Sequence, residues 1–379
     1  MATRVLIAGG GVAAMEAMLA LHALAGTRVE VELLSPEQHF WYRPLSVGEP
    51  FGAGEATRHE VGALAAAAGG ALVTLGALRG VDTDRNEATT SVGEIAYDVL
   101  LVAVGAVPVR AVPGALIFRG PSDDEKIAGL LAEVRAGAVR RIAFAVPAGV
   151  SWPLPLYELA LLTASNLRAN GRDDVELALV TPEQEPLQLF GPRGSSAVRR
   201  LLDERAIALH TGRRPFVHAD EELRLVDGGA IDADRVVTVP LLRGLRLSGL
   251  PATSDGFIPI DAHGRVDGLV DVYAAGDAAD CPVKQGGIAA QVADAAAEAI
   301  AARVGAAVTP RPFRPVLRAL LLTGAEPLYL RRDLSDERRG ETVAPARLRQ
   351  PAKIQSRYLE PFLESLTRPS PPATSRRPD

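Results

Sequence analysis

Val5-Leu6-Ile7-Ala8-Gly9-Gly10-Gly11-Val12-Ala13-Ala14 is a short apolar strand, a Gly-rich turn and the start of an Ala/Leu-rich segment that runs to about Leu24. In a GxGxxA placed between strand and helix, Gly9 permits the turn and Gly11 lets the backbone approach a pyrophosphate. Backbone N–H groups and the helix dipole then hold the anion. Taken alone, such a turn equally serves to pack helix on strand. A second strand over residues 29–34 completes a βαβ unit. At its end Ser35 and Glu37 are preferred as the ribose-binding pair, while Glu30 and Glu32 alternate onto one face and read as solvated strand residues just as well.

Further along, Tyr97-Asp98-Val99-Leu100-Leu101-Val102-Ala103-Val104-Gly105 is an apolar run suited to burial on both faces. From Arg141 the strand–helix pattern restarts: strand 142–146, helix 155–170, strand 175–180, helix 195–204, strand 206–210. A meander of short strands follows, and then Val272-Tyr273-Ala274-Ala275-Gly276-Asp277. An acid at the end of a buried strand needs hydrogen-bond donors. In a dinucleotide fold that position faces the ligand crevice, and the ribityl hydroxyls of FAD are suitable donors; a simple turn acid is the alternative. The fold class expected is α/β: two Rossmann-like three-layer domains, the second inserted in the first, with a small C-terminal α+β segment. The boundaries expected are 1–112 and 250–305 for an FAD-binding domain, 113–249 for a second dinucleotide-binding-like domain, 306–367 for a C-terminal interface segment and 368–379 for a disordered tail. Residues 36–60, rich in aromatics, Pro and Gly, read as a long functional loop.

Composition removes several alternatives. A net charge of -5 without a basic block leaves no electrostatic footprint for nucleic acid. The single cysteine, Cys281, excludes a disulfide framework and any mechanism needing two redox cysteines in one chain. The six histidines show no metal spacing, so no metal is expected. No apolar stretch approaches the roughly 20 residues that cross a bilayer, and the N-terminus lacks a signal-peptide pattern. A cytoplasmic protein is expected, with peripheral membrane contact left open.

Gly9-x-Gly11-x-x-Ala14, the Val104-Gly105-Ala106 segment and residues 272–277 together resemble the FAD-binding motifs of the pyridine-nucleotide-disulfide oxidoreductase superfamily. The stretches LLSPEQHFWYRPL, WPLPLYELALL, VTPEQEPLQLFG and KQGGIAAQVADAAAEAI are most similar to the branch of sulfide:quinone reductases and type II NADH dehydrogenases. The likeness covers residues 4–305. It implies a non-covalent FAD with Asp277 on the ribityl chain, Arg43-Pro44 beside the flavin ring, and Lys284, Gln285, Gly286 and Gly287 near the pyrimidine edge. Val12, Ala13, Leu78, Gly276 and Ala290 complete the cofactor-binding set. A helix beginning near Gly287 would aim its positive end at the flavin N1/O2 region; Lys284 would add to that, or else is a solvated loop lysine.

The chain departs from its relatives in two places. Sulfide:quinone reductases work through a cysteine pair, which this chain lacks; Cys281 is a candidate lone thiol but more often such a residue is packing. In the second domain the turn expected to carry GxGxxG is instead Val146-Pro147-Ala148-Gly149-Val150-Ser151-Trp152-Pro153, where prolines remove donors and Trp152 fills space. NAD(P)H binding in the usual way is therefore not expected. Glu158 takes the place of the acid that often follows that turn, or is a plain helix-surface residue. Catalytic candidates are Cys281, Lys284 and His39, with His59 beside it. Over residues 354–366 Ile354, Tyr358, Leu359, Phe362 and Leu366 predict one apolar helix face for dimer contact or packing over the flavin, with membrane or quinone contact behind. The function expected is an FAD-dependent oxidoreductase moving electrons from a small donor to an acceptor such as a quinone. The alternatives are an NAD(P)H-dependent reductase with an atypical site and a non-catalytic flavin-binding sensor or partner protein.

Overall fold

The computed structural model describes residues 1–335, 341–345 and 353–367. The tail expected to be disordered, 368–379, lies outside these residues.

Two parallel five-stranded sheets organise the chain. The first has the order Val272–Ala274, Val99–Val102, Thr3–Ala8, Val29–Ser35, Leu72–Leu75, with Val5 opposite both Val31 and Val99. Val99 to Val102 are wholly buried, as a central strand covered on both faces requires; each such side chain contributes roughly 1.5–3 kcal/mol. The second sheet has the order Leu116–Ile117, Arg235–Thr238, Arg141–Ala145, Glu176–Val180, Ile207–His210. Its sequence lies wholly between strands Val99–Val102 and Val272–Ala274 of the first sheet, so the second unit is inserted in the first. The chain crosses between them on Ala106–Val109 and Leu241–Gly244, which pair antiparallel.

Helices Val12–Ala25 and Gly286–Arg303 pack together on one face of the first sheet. Alanines make that approach close: Ala14, Ala17, Ala293, Ala296 and Ala297 are fully buried at or beside the contact. A three-stranded antiparallel sheet, Leu78–Asp82, Glu87–Thr90 and Gly93–Ala96, bridges two strands of the first unit, and another, Val316–Leu321, Leu328–Asp333 and Thr342–Pro345, follows the long helix.

Two local expectations are corrected and one helix is added. Residues 36–60 are not one irregular loop: His39–Tyr42 and Thr57–Glu60 pair antiparallel, with Phe40 opposite and stacked on His59, because alternation buries Phe40 while Trp41 faces out. Asp124–Arg135 is a helix not anticipated from the sequence, burying Ile127, Leu130, Leu131 and Val134. The C-terminal helix begins at Leu359 rather than near residue 354, since a carboxylate from another helix caps it there; Ile354 and Tyr358 precede it. Of the expected apolar face, Leu359 is buried and Leu366 exposed.

Candidate active site

A cavity of about 1460 Å³ opens at the C-terminal ends of the first sheet's strands and extends under the second unit. A pocket for one small molecule usually measures roughly 300–1,000 Å³, so the space exceeds what a single small substrate needs. It is where an open parallel sheet presents its ligand crevice.

The Gly-rich turn forms one end. Gly9 has φ +140°, and a side chain there would collide with the Ala103 carbonyl, so the position is closed to anything larger. Gly11 differs: a Cβ would meet nothing within 4 Å, and Gly11 lines the cavity. It is the N-cap of helix Val12–Ala25, with no side chain capping the first N–H groups. Those free donors, at the positive end of a 14-residue helix, make a cradle for an anion.

The structure sorts the candidate cofactor residues into two groups. Gly9, Gly11, Val12, Ser35, Glu37, Arg43, Pro44, Leu78, Val104, Gly105, Asp277, Lys284, Gln285 and Gly286 all line the cavity, as do His39 and Cys281. Ala13, Ala14, Gly276, Gly287 and Ala290 do not. Ala13 and Ala14 are buried in the helix packing, and Gly276, at φ +72°, sits where a Cβ would come 3.0 Å from the Ala13 methyl. These small residues serve the approach of backbone to backbone. A Cβ at Gly287 would meet the Gln285 side chain, and Ala290 lines a second cavity further along the helix. Ser35 spends its hydroxyl locally, donating to Glu37 O at 2.7 Å, and Glu37 stands exposed beside it. Glu32 is not free either: Thr74 donates to it at 2.6 Å.

At the centre, Asp277 makes no hydrogen bond among the described residues; burial raises its carboxyl and Lys284 opposes that shift. Lys284 is not a solvated loop residue. Its ammonium lies 3.6 Å from the centre of the Phe257 ring and donates to Ala279 O, and burial lowers its pKa. Helix Gly286–Arg303 starts one residue before the expected Gly287, with the Gln285 side chain accepting from Ile288 N at 2.9 Å. Cys281 reaches the cavity wall, but burial pushes its thiol up to about 11, so at neutral pH it is a poor nucleophile. His39 stands on the wall, whereas His59 does not, and burial lowers its pKa.

The far wall holds a pair that the sequence did not indicate. Glu158, expected as a binding or surface acid, is 1 % exposed and accepts from Lys353 Nζ at 2.6 and 2.7 Å and from Leu322 N at 2.9 Å. Both members line the cavity. Burial raises the Glu158 carboxyl against the pull of Lys353. Their separation of 195 residues leaves no local signal.

In the second unit, the turn at residues 146–153 brings Trp152 edge-on to Phe190, ring centres 5.9 Å apart. Glu183, just past strand Glu176–Val180, is occupied by its own chain: Tyr157 Oη donates at 2.7 Å, Thr181 Oγ1 at 3.0 Å and Gln188 N at 3.1 Å. The end of the second strand is where a dinucleotide fold places its ribose acid; here that carboxylate is already satisfied.

Among the described residues no group of His, Cys, Asp and Glu has metal-binding geometry, and no helix is long and apolar enough to cross a membrane.

Comparison of the sequence with curated proteins finds no match. The fold is shared with solved structures. The sulfide:quinone oxidoreductase of the hyperthermophilic bacterium Aquifex aeolicus superposes with a TM-score of 0.79 at 17% identity, over 90% of this chain and 87% of that one. A ferredoxin reductase from Rhodopseudomonas palustris gives 0.63 at 20% identity, over 86% and 82%. An NAD-dependent persulfide reductase from A. fulgidus gives 0.60 at 18% identity, over 86% and 64%. Residues 158–299 match the family model described as pyridine nucleotide-disulphide oxidoreductase. That match falls within a two-sheet fold shared with these solved oxidoreductases, in a chain that holds a single cysteine.

Proposed function

We propose that the cavity takes FAD along its first-sheet side and a small redox partner on its Glu158–Lys353 side, and that the protein passes electrons from a small donor to an acceptor such as a quinone. The observation that carries this is the continuity of one space from the Gly11 cradle, past Asp277 and Lys284, to Glu158 and Lys353. The residues fit the cofactor. The uncapped N–H groups behind Gly11 suit a pyrophosphate, Glu37 suits a ribose hydroxyl, and Asp277 offers a half-buried carboxyl group on the cavity wall for ribityl hydroxyls. FAD, when bound, supplies the acceptance and release of electrons.

The chain's own residues would do the rest. Lys284 and the start of helix Gly286–Arg303 put positive charge at the edge of the cavity where negative charge collects on reduction. Glu158 and Lys353 hold an acid and a base in contact at the wall, able to give or take a proton at a partner's oxygen. The two groups are held apart from bulk water, so their charges act through a low local dielectric. Neither Cys281 nor a second cysteine is needed.

A nicotinamide nucleotide in the second unit is disfavoured by the occupied Glu183 and by Trp152 on Phe190. The test is visible absorption of the protein reconstituted with FAD, followed anaerobically with NADH, NADPH, sulfide and then a soluble quinone. Flavin bands that resist both nicotinamides, and a reduced flavin reoxidised by quinone, are expected. Bleaching by NADH or NADPH within seconds would refute the closed second site; absence of flavin bands would refute FAD itself.

A further inference from the structure

We propose that residues 353–359 form a strap across the cavity wall whose docking requires one proton held between the carboxyl groups of Glu16 and Asp294, so that the strap lifts as the medium turns alkaline. This goes beyond the redox reading and does not depend on what the cavity binds.

The strap is pinned at both ends by buried carboxyl groups. At one end Lys353 meets Glu158, and Ile354 packs against Gly286 while its N–H reaches Tyr42 Oη at 3.4 Å. At the other, Glu16 of helix Val12–Ala25, fully buried, accepts from three consecutive N–H groups: Arg357 and Tyr358 at 2.7 and 2.9 Å on Oε1, Leu359 at 2.6 Å on Oε2. A carboxylate placed on the first N–H groups of helix Leu359–Thr367 is an N-cap supplied from 343 residues away. That arrangement uses both carboxyl oxygens of Glu16 as acceptors.

Asp294 of helix Gly286–Arg303 lies beside the same Glu16, and its Oδ1 is buried without a hydrogen-bond partner. Two carboxyl groups in contact cannot both ionise cheaply, so one must keep a proton. With Glu16 committed to three donors, the proton belongs on Asp294, whose pKa rises to about 8 through burial and then through Glu16. The other charges facing the pair are Glu298 on the same helix, Arg357 and the Tyr358 hydroxyl on the strap, and Arg311 on the adjoining loop; Arg314 and Arg318 line the same second cavity of about 700 Å³. Glu298 is held ionised by Arg311 and by Arg357 at 2.8 Å; Arg357 opposes the rise at Asp294 and Glu298 adds to it, both less than burial and Glu16.

The sign follows from linkage. Docked, Asp294 keeps its proton up to about pH 8; with the strap lifted, water reaches both carboxyls and Asp294 returns toward the ordinary carboxylate range. Docking therefore takes up a proton. It is fully favoured in acid, weakens by up to about tenfold per pH unit as pH rises, and levels off above the docked pKa.

The test is amide hydrogen exchange of the full-length chain as purified, read by mass spectrometry on peptides covering residues 353–367 from pH 5.5 to 9 and corrected for intrinsic rates. The opening ratio of the wild-type strap should climb steeply with pH and flatten near pH 8, while peptides of Val99–Val102 stay protected. Asp294→Asn, which keeps a neutral donor for Glu16, should flatten the profile at the docked level. A wild-type strap whose opening is independent of pH, or an Asp294→Asn chain that retains the wild-type slope with its central strand still protected, overturns the proposal.

Discussion

Replacing Glu158 by Gln removes one charge from the buried pair without removing its shape. Gln keeps an oxygen for Leu322 N, so the loss falls on Lys353, an ammonium only 7% exposed that surrenders two contacts of 2.6 and 2.7 Å. Stranding one member of a buried ion pair costs about 3–5 kcal/mol; the lower figure applies because the amide oxygen still accepts. At about 2.1 cal/mol/K per residue, a 379-residue chain unfolding as one unit loses about 0.8 kcal/mol of stability per degree near Tm, so about 3 kcal/mol lowers Tm by about 4 °C. The companion Glu158→Gln/Lys353→Met chain removes the stranded charge and should recover most of that loss, because a buried pair replaced by groups of similar volume is often nearly neutral. Thermal unfolding of the two variants and the wild type, at one pH and salt, decides it. A single variant within about 1 °C of wild type, or a double variant less stable than the single, would refute the claim that desolvated charge governs this wall.

The two glycines of the dinucleotide turn should separate fold from ligand. Gly9→Ala drives a methyl into the Ala103 carbonyl at a positive φ and should leave little soluble protein, whereas Gly11→Ala meets open space and should fold with an unchanged apo melting curve yet lose retained flavin on gel filtration. A Gly11→Ala chain that keeps its flavin stoichiometrically would argue against the cradle. For Cys281, whose thiol is pushed up to about 11, the alkylation rate by iodoacetamide should be slow at pH 7 and rise about tenfold per pH unit through pH 10; a plateau near the ordinary thiol range would show that the thiol is more open than its burial indicates.

The motifs that were legible are those in which neighbouring residues carry the constraint. The Gly-rich turn announced itself because positive φ and close backbone approach demand glycine within three positions, and the strand 99–102 because burial on both faces demands an unbroken apolar run. Asp277 was singled out by the same reasoning, as an acid ending a buried strand, and it stands on the cavity wall. Yet motif membership did not separate cavity lining from packing. Gly11 and Ala14 belong to one pattern, but helical geometry sends Gly11 to the cavity and Ala14 into the contact with helix Gly286–Arg303.

Local sequence, then, determined two dinucleotide folds, their nesting and the turn at Gly9–Gly11, since strand period, helix period and glycine backbone freedom are all short-range. Only the tertiary structure decided that Glu158 meets Lys353, that Glu16 caps a helix at the other end of the chain, and that Glu183 is consumed by Tyr157 and Thr181. Buried carboxyl groups take whatever donors the packing brings within about 3 Å, and chain separations of 195 and 343 residues leave no periodicity from which those partners can be read.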